Sequence, residues 1–387
     1  MSEHPKIAKY GNNQRTALLL GGGGARAAYQ VGVLKAVAEL LPAEEKNPFP
    51  IICGTSAGSI NTIALASNAT DFRTGVAKIT QVWSNFKLSH VFHADAKNLF
   101  KRILGWFWSN IGFGNRENGP SSLLDNEPLR ELLNQHISFT KIDEAIAAGH
   151  LHAYCLTACS YSSGESTTFY DGHPSIQNWL RTHREGRREK MNIDYLMASS
   201  AIPVVFPSVR LGDEHFGDGS MRQISPISPA LHLGAEKILI IGLRAEKSLK
   251  NKKPDSEVRP SLGQISGYVM DTLFLNSLYS DLERMERMNR TLENSEECDK
   301  DQTELLKVIQ YQIVSPSKDI ADVAMKHYKD LPKAFRIALK FLGMGKGNSR
   351  RFISYLMFTS HFCQELIDLG YADAMHKKDE LLEFLEV

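Results

Sequence analysis

The stretch Phe49-Pro50-Ile51-Ile52-Cys53-Gly54-Thr55-Ser56-Ala57-Gly58-Ser59-Ile60 decides how this chain is read. An apolar strand runs into Gly54-Thr55-Ser56-Ala57-Gly58, a G-x-S-x-G pattern, and helical sequence comes next. Strand before and helix after is the context that gives this pattern chemical meaning. Small residues on both sides let the backbone turn sharply and present the Ser56 hydroxyl. The helix that begins just after Ser56 adds positive partial charge beside it. Taken without its surroundings, the same pentapeptide is a glycine-lined turn whose serine caps a helix.

Upstream, Thr16–Leu20 is a short apolar strand that Gly21–Gly24 cannot continue. From Ala25 to Leu41, apolar residues recur at three- and four-residue steps, and Pro42 ends the helix. Strands alternating with helices predict an α/β fold with a mostly parallel central sheet flanked by helices. The glycine run lies where strand gives way to helix, so its N–H groups can face an anion: a phosphate, a dinucleotide or a reaction oxyanion. No Gly-Lys-Ser/Thr comes after it, which excludes a P-loop, and Glu44 and Glu45 sit at a helix end rather than after a second strand, where a dinucleotide site wants its acid. The pairing with G-x-S-x-G some thirty residues on argues that the glycine run forms an oxyanion hole serving Ser56.

Downstream, Pro128–Ile137 reads as a helix and Leu151–Cys159 with Ser166–Tyr170 as a hairpin across Ser162-Ser163-Gly164. Ile193–Ser200 is helical, Pro203 and Pro207 break the segment after it, and Lys237–Leu243 is a strand. Residues 244–260, rich in Lys, Asp and Pro, form the best linker. Beyond it the pattern is mainly helical over Ile265–Leu292, Phe352–Leu369 and Lys378–Leu385, with one further strand at Val308–Val314. This divides the chain into a catalytic unit at 16–243 and a helical region at 250–387.

A serine nucleophile needs a proton acceptor, and Gly217-Asp218-Gly219 supplies a candidate that Ala198–Pro203 and Pro207 precede. With these blocks in place the chain resembles the patatin-like phospholipase family, bacterial-type acyl hydrolases. Gly22-Gly23-Gly24-Ala25-Arg26 is similar to that family's oxyanion loop, and Gly54-Thr55-Ser56-Ala57-Gly58 to its nucleophile elbow. Ala198–Pro203 with Pro207 resembles its helix-and-proline segment, and Asp218-Gly219 its Asp-Gly. The resemblance covers roughly residues 16–243. It implies a Ser56–Asp218 dyad without histidine, supported by Gly54, Gly58 and Gly219. Arg26, at the family's basic position, is expected to orient the loop or add positive potential, against the simpler reading of a surface arginine. Two positions depart from the pattern. Ala27 replaces a glycine and is compatible if its φ is negative. Ser220 stands where Gly or Ala is usual and is expected to fit while hydrogen-bonding Asp218.

The competing scheme is a Ser–His–Asp triad, for which His215, His232 and His361 are candidates with no motif pointing to them. Without H-E-x-x-H or a clustered ligand set, neither a metal nor another cofactor is expected. A different class of reading is a non-catalytic module that senses a phosphate or nucleotide with the glycine loop.

The 387 residues carry 45 Lys and Arg against 44 Asp and Glu. That balance excludes a strongly basic nucleic-acid binder or an acidic solvating chain, and it assigns any membrane attraction to local segments. Five cysteines without a CxxC give no disulfide framework or zinc site. No signal peptide or spanning segment is read, so the expected location is cytoplasmic, soluble or peripheral at a membrane. The expected partner is a lipid ester: a phospholipid or lysophospholipid, with triacylglycerol or another ester as alternative. Trp106 and Trp108, among basic and aliphatic neighbours, either contact the membrane interface or pack as core. Arg181, Arg184, Arg187, Arg188 and Lys190 read as a solvated loop or helix. No nucleic-acid partner is expected, since no stacking pattern accompanies the basic run. The helical region leaves a homo-oligomer open.

Overall fold

A computed structural model describes residues 16–93, 105, 122–245, 261–294, 307–341, 343 and 349–387. Ten strands form one sheet. They are β1 (Thr16–Leu20), β2 (Ile51–Thr55), β3 (Ala153–Ser160), β4 (Ser166–Gly172), β5 (Trp179–Arg181), β6 (Arg184–Arg188), β7 (Val209–Leu211), β8 (Glu214–Asp218), β9 (Lys237–Ile241) and β10 (Gln310–Val314). Their order is β10-β9-β1-β2-β3-β4-β6-β5, with β8 paired to β3 and β7 to β8. The centre, β10 to β3, is parallel throughout. The β3–β4, β3–β8, β5–β6 and β7–β8 pairs are antiparallel, so the whole sheet is mixed.

Alternation along the central strands makes three layers. Leu18, Leu20, Ile52, Tyr154, Leu156, Leu239 and Ile241 enter one core. Ala17, Leu19, Ile51, Cys53, Ala153, Cys155, Ile238 and Ile240 enter the other. Strands buried on both faces must be apolar at every position, which is why they read as continuous runs. The first face is covered by α1 (Ala28–Leu40), α2 (Ala57–Ala66) and α3 (Phe72–Ser84), with α4 (Glu127–His136) and α5 (Ile193–Ser199) beyond them. On the second, α7 (Ser277–Asn294) seats Leu282 and Met285.

The mainly helical later region shares this sheet and core. β10 extends the sheet beyond β9. The helices α6 (Leu262–Asp271), α8 (Ile320–Lys326), α9 (Arg350–Tyr355) and α10 (Ser360–His376) pack on the first face. α10 lies along α1 so closely that a Cβ on Gly32 would stand 2.0 Å from the Ile367 carbonyl oxygen. Glycine is the residue that allows helices to approach this far.

Three expected stretches come out differently. The Ile265–Leu292 register is two helices, joined by a π-helical turn at Thr272–Asn276. Phe352–Leu369 is broken between Tyr355 and Ser360, which turns Phe358 against Phe86 with ring centroids 5.7 Å apart. The basic run at 181–190 falls largely in β5 and β6. Arg187 pairs with Glu185 and Glu214, Arg188 with Asp171 and Lys190 with Asp143. Trp106, Trp108 and residues 246–260 lie outside the described residues.

One detail of register positions the site. β4 occupies one flank of β3 from Ala153 to Cys159. The other flank is shared: β2 pairs up to Thr55↔Thr157, and β8 takes over at Asp218↔Ala158. The residue just after β2 and the residue that ends β8 are therefore brought end to end, although 162 positions separate Ser56 from Asp218.

Candidate active site

Ser56 stands at the N-cap of α2 with φ 54° and ψ −129°, a left-handed backbone that a non-glycine residue seldom adopts. The flanking glycines make the turn possible by sterics. A Cβ on Gly58 would lie 2.1 Å from the Leu20 carbonyl oxygen, and one on Gly54 would lie 2.4 Å from Thr62 Oγ1. The spacing thus lets α2 start directly against the end of β1. Ser56 is held on both sides of its peptide: its N–H donates to Ser199 Oγ at 3.0 Å, and its carbonyl accepts from Ser59 Oγ at 2.5 Å. Ser199 Oγ in turn donates to the Thr157 carbonyl at 2.7 Å.

Asp218 is fully buried. Its Oδ1 accepts the Ser220 N–H at 2.9 Å, while Oδ2 has no hydrogen-bond partner. Burial pushes the carboxyl up to about 6; the nearby Ser56 hydroxyl, then the Ser220 N–H and hydroxyl, pull it down and only partly offset that. Gly219 is needed because a Cβ there would meet the Thr157 carbonyl oxygen at 2.1 Å.

The glycine loop leaves β1 and enters a 3₁₀ turn, Gly24–Ala27, before α1. The N–H groups opening such a turn have no partner within it. Gly24 has φ +54°, and a Cβ there would strike the Tyr355 carbonyl oxygen at 2.3 Å. Ala27 has φ −64°, the negative value that alanine needs. Behind the loop runs a buried polar chain: Trp83 Nε1 donates to Asn61 Oδ1 at 2.8 Å, Asn61 Nδ2 to Gln30 Oε1 at 2.9 Å, and Gln30 Nε2 to the Gly21 carbonyl at 2.8 Å.

Arg26 is no surface residue. It is 3% exposed and lies 3.8 Å over the Tyr355 ring. Its Nε donates to Ser354 Oγ at 2.8 Å and its Nη2 reaches Asp271 Oδ1 at 3.2 Å. Asp271 also accepts the Tyr355 hydroxyl at 3.0 Å and pairs with Arg351 Nε at 3.3 Å. A guanidinium offers this planar fork of donors together with a stacking face. The loop is thereby tied to α6 and α9.

Gly24 and Ser56 open into an apolar cavity of about 100 Å³ that α2 borders along its length, through Ala57, Ile60, Asn61 and Ala64, with Asn68 just past its end. At 1.5 Å per residue, that face is roughly 15 Å long. Ile79, Val82, Leu129, Leu133, Ile202 and Phe358 complete the lining, and the groove reaches an exposed mouth where Lys78 Nζ donates to Asn68 Oδ1 at 2.7 Å.

None of the three triad candidates borders this groove. His215 is exposed on β8, His232 stacks on Trp179 with centroids 4.6 Å apart, and His361 contacts Asp330 at 3.0 Å. His136 does border it, at its exposed edge. Among the described residues no histidine hydrogen-bonds Ser56, and no three His, Cys, Asp or Glu side chains group as a metal site. Ser199, the Trp83–Asn61–Gln30 chain and Asp271 were not singled out by sequence. Their only signal was polar residues on otherwise apolar faces.

A strained serine at a strand-to-helix turn of an α/β sheet, with a glycine loop beside it, is the class that fold and site define. The sequence model of the patatin-like phospholipase family matches residues 18–231, and the chain belongs to that family. Over 222 residues it is 28% identical to a cGAMP-activated phospholipase of Pseudomonas aeruginosa (strain BWHPSA011 / Pa011). The match takes in 56% of this chain and 55% of that one, so the chain spans about half the length of that relative. Two solved structures are more distant. VipD from Legionella pneumophila has 9% identity and a TM-score of 0.36, covering 95% of this chain and 67% of that one. Human GIVD cytosolic phospholipase A2 has 12% identity and a TM-score of 0.38, covering 96% and 60%. Likenesses at that level carry no weight for function.

Proposed function

We propose that this protein is a serine acyl hydrolase of lipid carboxyl esters, acting through Ser56 and Asp218. One observation carries the reading: a strained, buried serine opens into a long apolar groove, with an unpartnered carboxylate oxygen at its back. In this scheme Ser56 Oγ attacks the ester carbonyl while Asp218 takes its proton. The N–H groups of Gly22–Ala25 hold the oxyanion, a donor set in which each member is worth about 3–4 kcal/mol of barrier. Asp218 then returns the proton to the departing alcohol. A water, deprotonated by the same carboxylate, releases the fatty acid and restores the serine.

The groove supports a fatty acyl chain as the substrate's recognised part, because a short acid would leave most of its apolar lining unfilled. Its single run along α2 favours one chain at a time, which fits phospholipase A or lysophospholipase action, with triacylglycerol as the alternative. Membrane contact through Trp106 and Trp108 belongs to the same proposal, and their fluorescence should blue-shift on anionic vesicles. The deciding experiment uses a fluorophosphonate probe. Wild type should be labelled, Ser56→Ala should not, and both Ser56→Ala and Asp218→Asn should lose ester turnover while keeping a wild-type circular dichroism spectrum. Turnover retained in either variant would remove the dyad.

A further inference from the structure

The parallel centre of the sheet has a second crevice. From β1 the chain steps to β2 and β3 on one side, then returns to place β9 and β10 on the other. The reversal lies between β1 and β9, and ligands of open α/β sheets bind outside the carboxyl ends of the strands at such a point. Ser56 uses the neighbouring crevice, between β1 and β2. At the β1/β9 reversal lies a separate cavity of about 140 Å³. It is bordered by Arg26 after β1, by Leu243, Arg244 and Ala245 after β9, and by Asp319 after β10. Tyr268, Asp271 and Asn276 close it from α6 and the π-helical turn, with Arg351 from α9.

Three guanidinium groups border this space, with two carboxylates. Both carboxylates are already engaged. Asp271 holds Arg26, Arg351 and the Tyr355 hydroxyl, and Asp319 accepts the Ala321 N–H at 2.9 Å. Arg244 is different. It is half-buried, its Nη1 donates only to the neutral Asn276 Oδ1 at 3.1 Å, and it has no carboxylate partner among the described residues. A partly desolvated arginine without a counter-ion among the described residues, facing a polar cavity beside a second arginine, is an arrangement suited to phosphate. The space is wide enough for one phosphate group. Whatever carries the phosphate would leave past Tyr268, whose ring is 65% exposed.

We propose that this cavity binds a phosphate group between Arg244 and Arg351, and that its occupant acts on turnover through Arg26. A phosphate on Arg351 relieves Asp271 of one of its two arginines. Asp271 then bears on Arg26 and Tyr355 alone, which tightens the backbone of Gly24 against the Tyr355 carbonyl. The binding half stands by itself; the coupling half rests on reading Gly22–Ala25 as the oxyanion loop. The phosphate can come from solution or from a lipid headgroup.

The test uses the full chain at low ionic strength, with inorganic phosphate and pyrophosphate as probes, against wild type, Arg244→Gln and Asn276→Ala. At a hundredfold excess over Kd, a wild-type melting shift on the order of 2–5 °C is expected. Arg244→Gln should lose it while keeping basal ester turnover, and Asn276→Ala should weaken it. Saturating phosphate should raise wild-type kcat at least twofold, with KM for a soluble short-chain ester unchanged. If neither soluble anion binds, flotation on phosphatidate against phosphatidylcholine vesicles identifies a headgroup source, provided Arg244→Gln abolishes it. The proposal is overturned if no anion or anionic vesicle binds, or if Arg244→Gln binds as well as wild type. Binding with kcat unmoved overturns the coupling half alone, and absence of ester turnover in wild type with anion binding intact overturns the catalytic reading instead.

Discussion

Buried and lacking a partner on one oxygen, Asp218 should write its ionisation into both rate and stability. As the proton acceptor it must be charged, and its carboxyl sits at about 6. The charged fraction is then about one tenth at pH 5, half at pH 6 and nine tenths at pH 7. The value of kcat/KM for a soluble short-chain ester should rise about tenfold from pH 5 to 7 as a single ionisation. Stability should run the opposite way. Below the ordinary carboxyl value of 3.8, Asp218 is neutral in the folded and unfolded chain and costs nothing. Between pH 3.8 and 6 the unfolded chain gives up a proton that the fold retains, so stability is lost across that window and levels off above it. A displacement of about two pH units corresponds to about 3 kcal/mol once ionisation is complete. Asp218→Asn escapes that term. It should be inactive, and its melting temperature relative to wild type should climb by about 3 °C between pH 4 and pH 8. Stopped-flow ester hydrolysis and calorimetry across that range measure both. A rate profile flat from pH 5 to 7, together with a melting difference that does not grow with pH, would refute the assignment.

Lengthening one side chain should close the groove without touching the dyad: Ala64→Phe should cut kcat/KM about 10- to 100-fold for long-chain esters and spare butyrate, measured as a chain-length series. Asp271→Asn and Tyr355→Phe loosen the hold on Arg26, and each should lower kcat about tenfold at unchanged KM, with the slope of the pH profile preserved. A KM effect alone would sever that link. Gly58→Ala puts a methyl 2.1 Å from the Leu20 carbonyl oxygen, and should destabilise by about 2 kcal/mol or more in urea titration, because backbone on both sides must move.

Much of this was legible in the chain because the central strands are buried on both faces and read as apolar runs. Thr16–Leu20 emerges with its expected ends, and the strand expected at Lys237–Leu243 ends at Ile241. The elbow was legible because sterics leave only small residues beside Ser56. The outlying strands β5 to β8 were not, since Arg184–Arg188 is half-exposed and its charges mask the strand pattern. Asp218 could be picked by motif, but its nearness to Ser56 depends on β2 and β8 sharing one flank of β3, a long-range register that no local pattern encodes. Arg26 marks the same limit. The sequence offered a basic residue in a loop, while its partners Asp271, Ser354 and Tyr355 lie some 245 to 329 positions away.

The hold of α9 and α10 on the glycine loop and α1 also bears on the order of synthesis. Ser56 leaves the ribosome early, but Tyr355, which backs Gly24, and Ile367, which receives Gly32, are made more than a hundred residues after β9. At roughly 5–20 residues per second, that delay is on the order of 6–25 s. Throughout it Ser56 exists without the backing of the glycine loop, so on the proposed reading a nascent chain that already carries Ser56 and Asp218 is unarmed. A lipid hydrolase of that kind would acquire its chemistry only once α9 and α10 have docked. Arrival of these late helices, rather than translation of the motif, becomes the moment of activation.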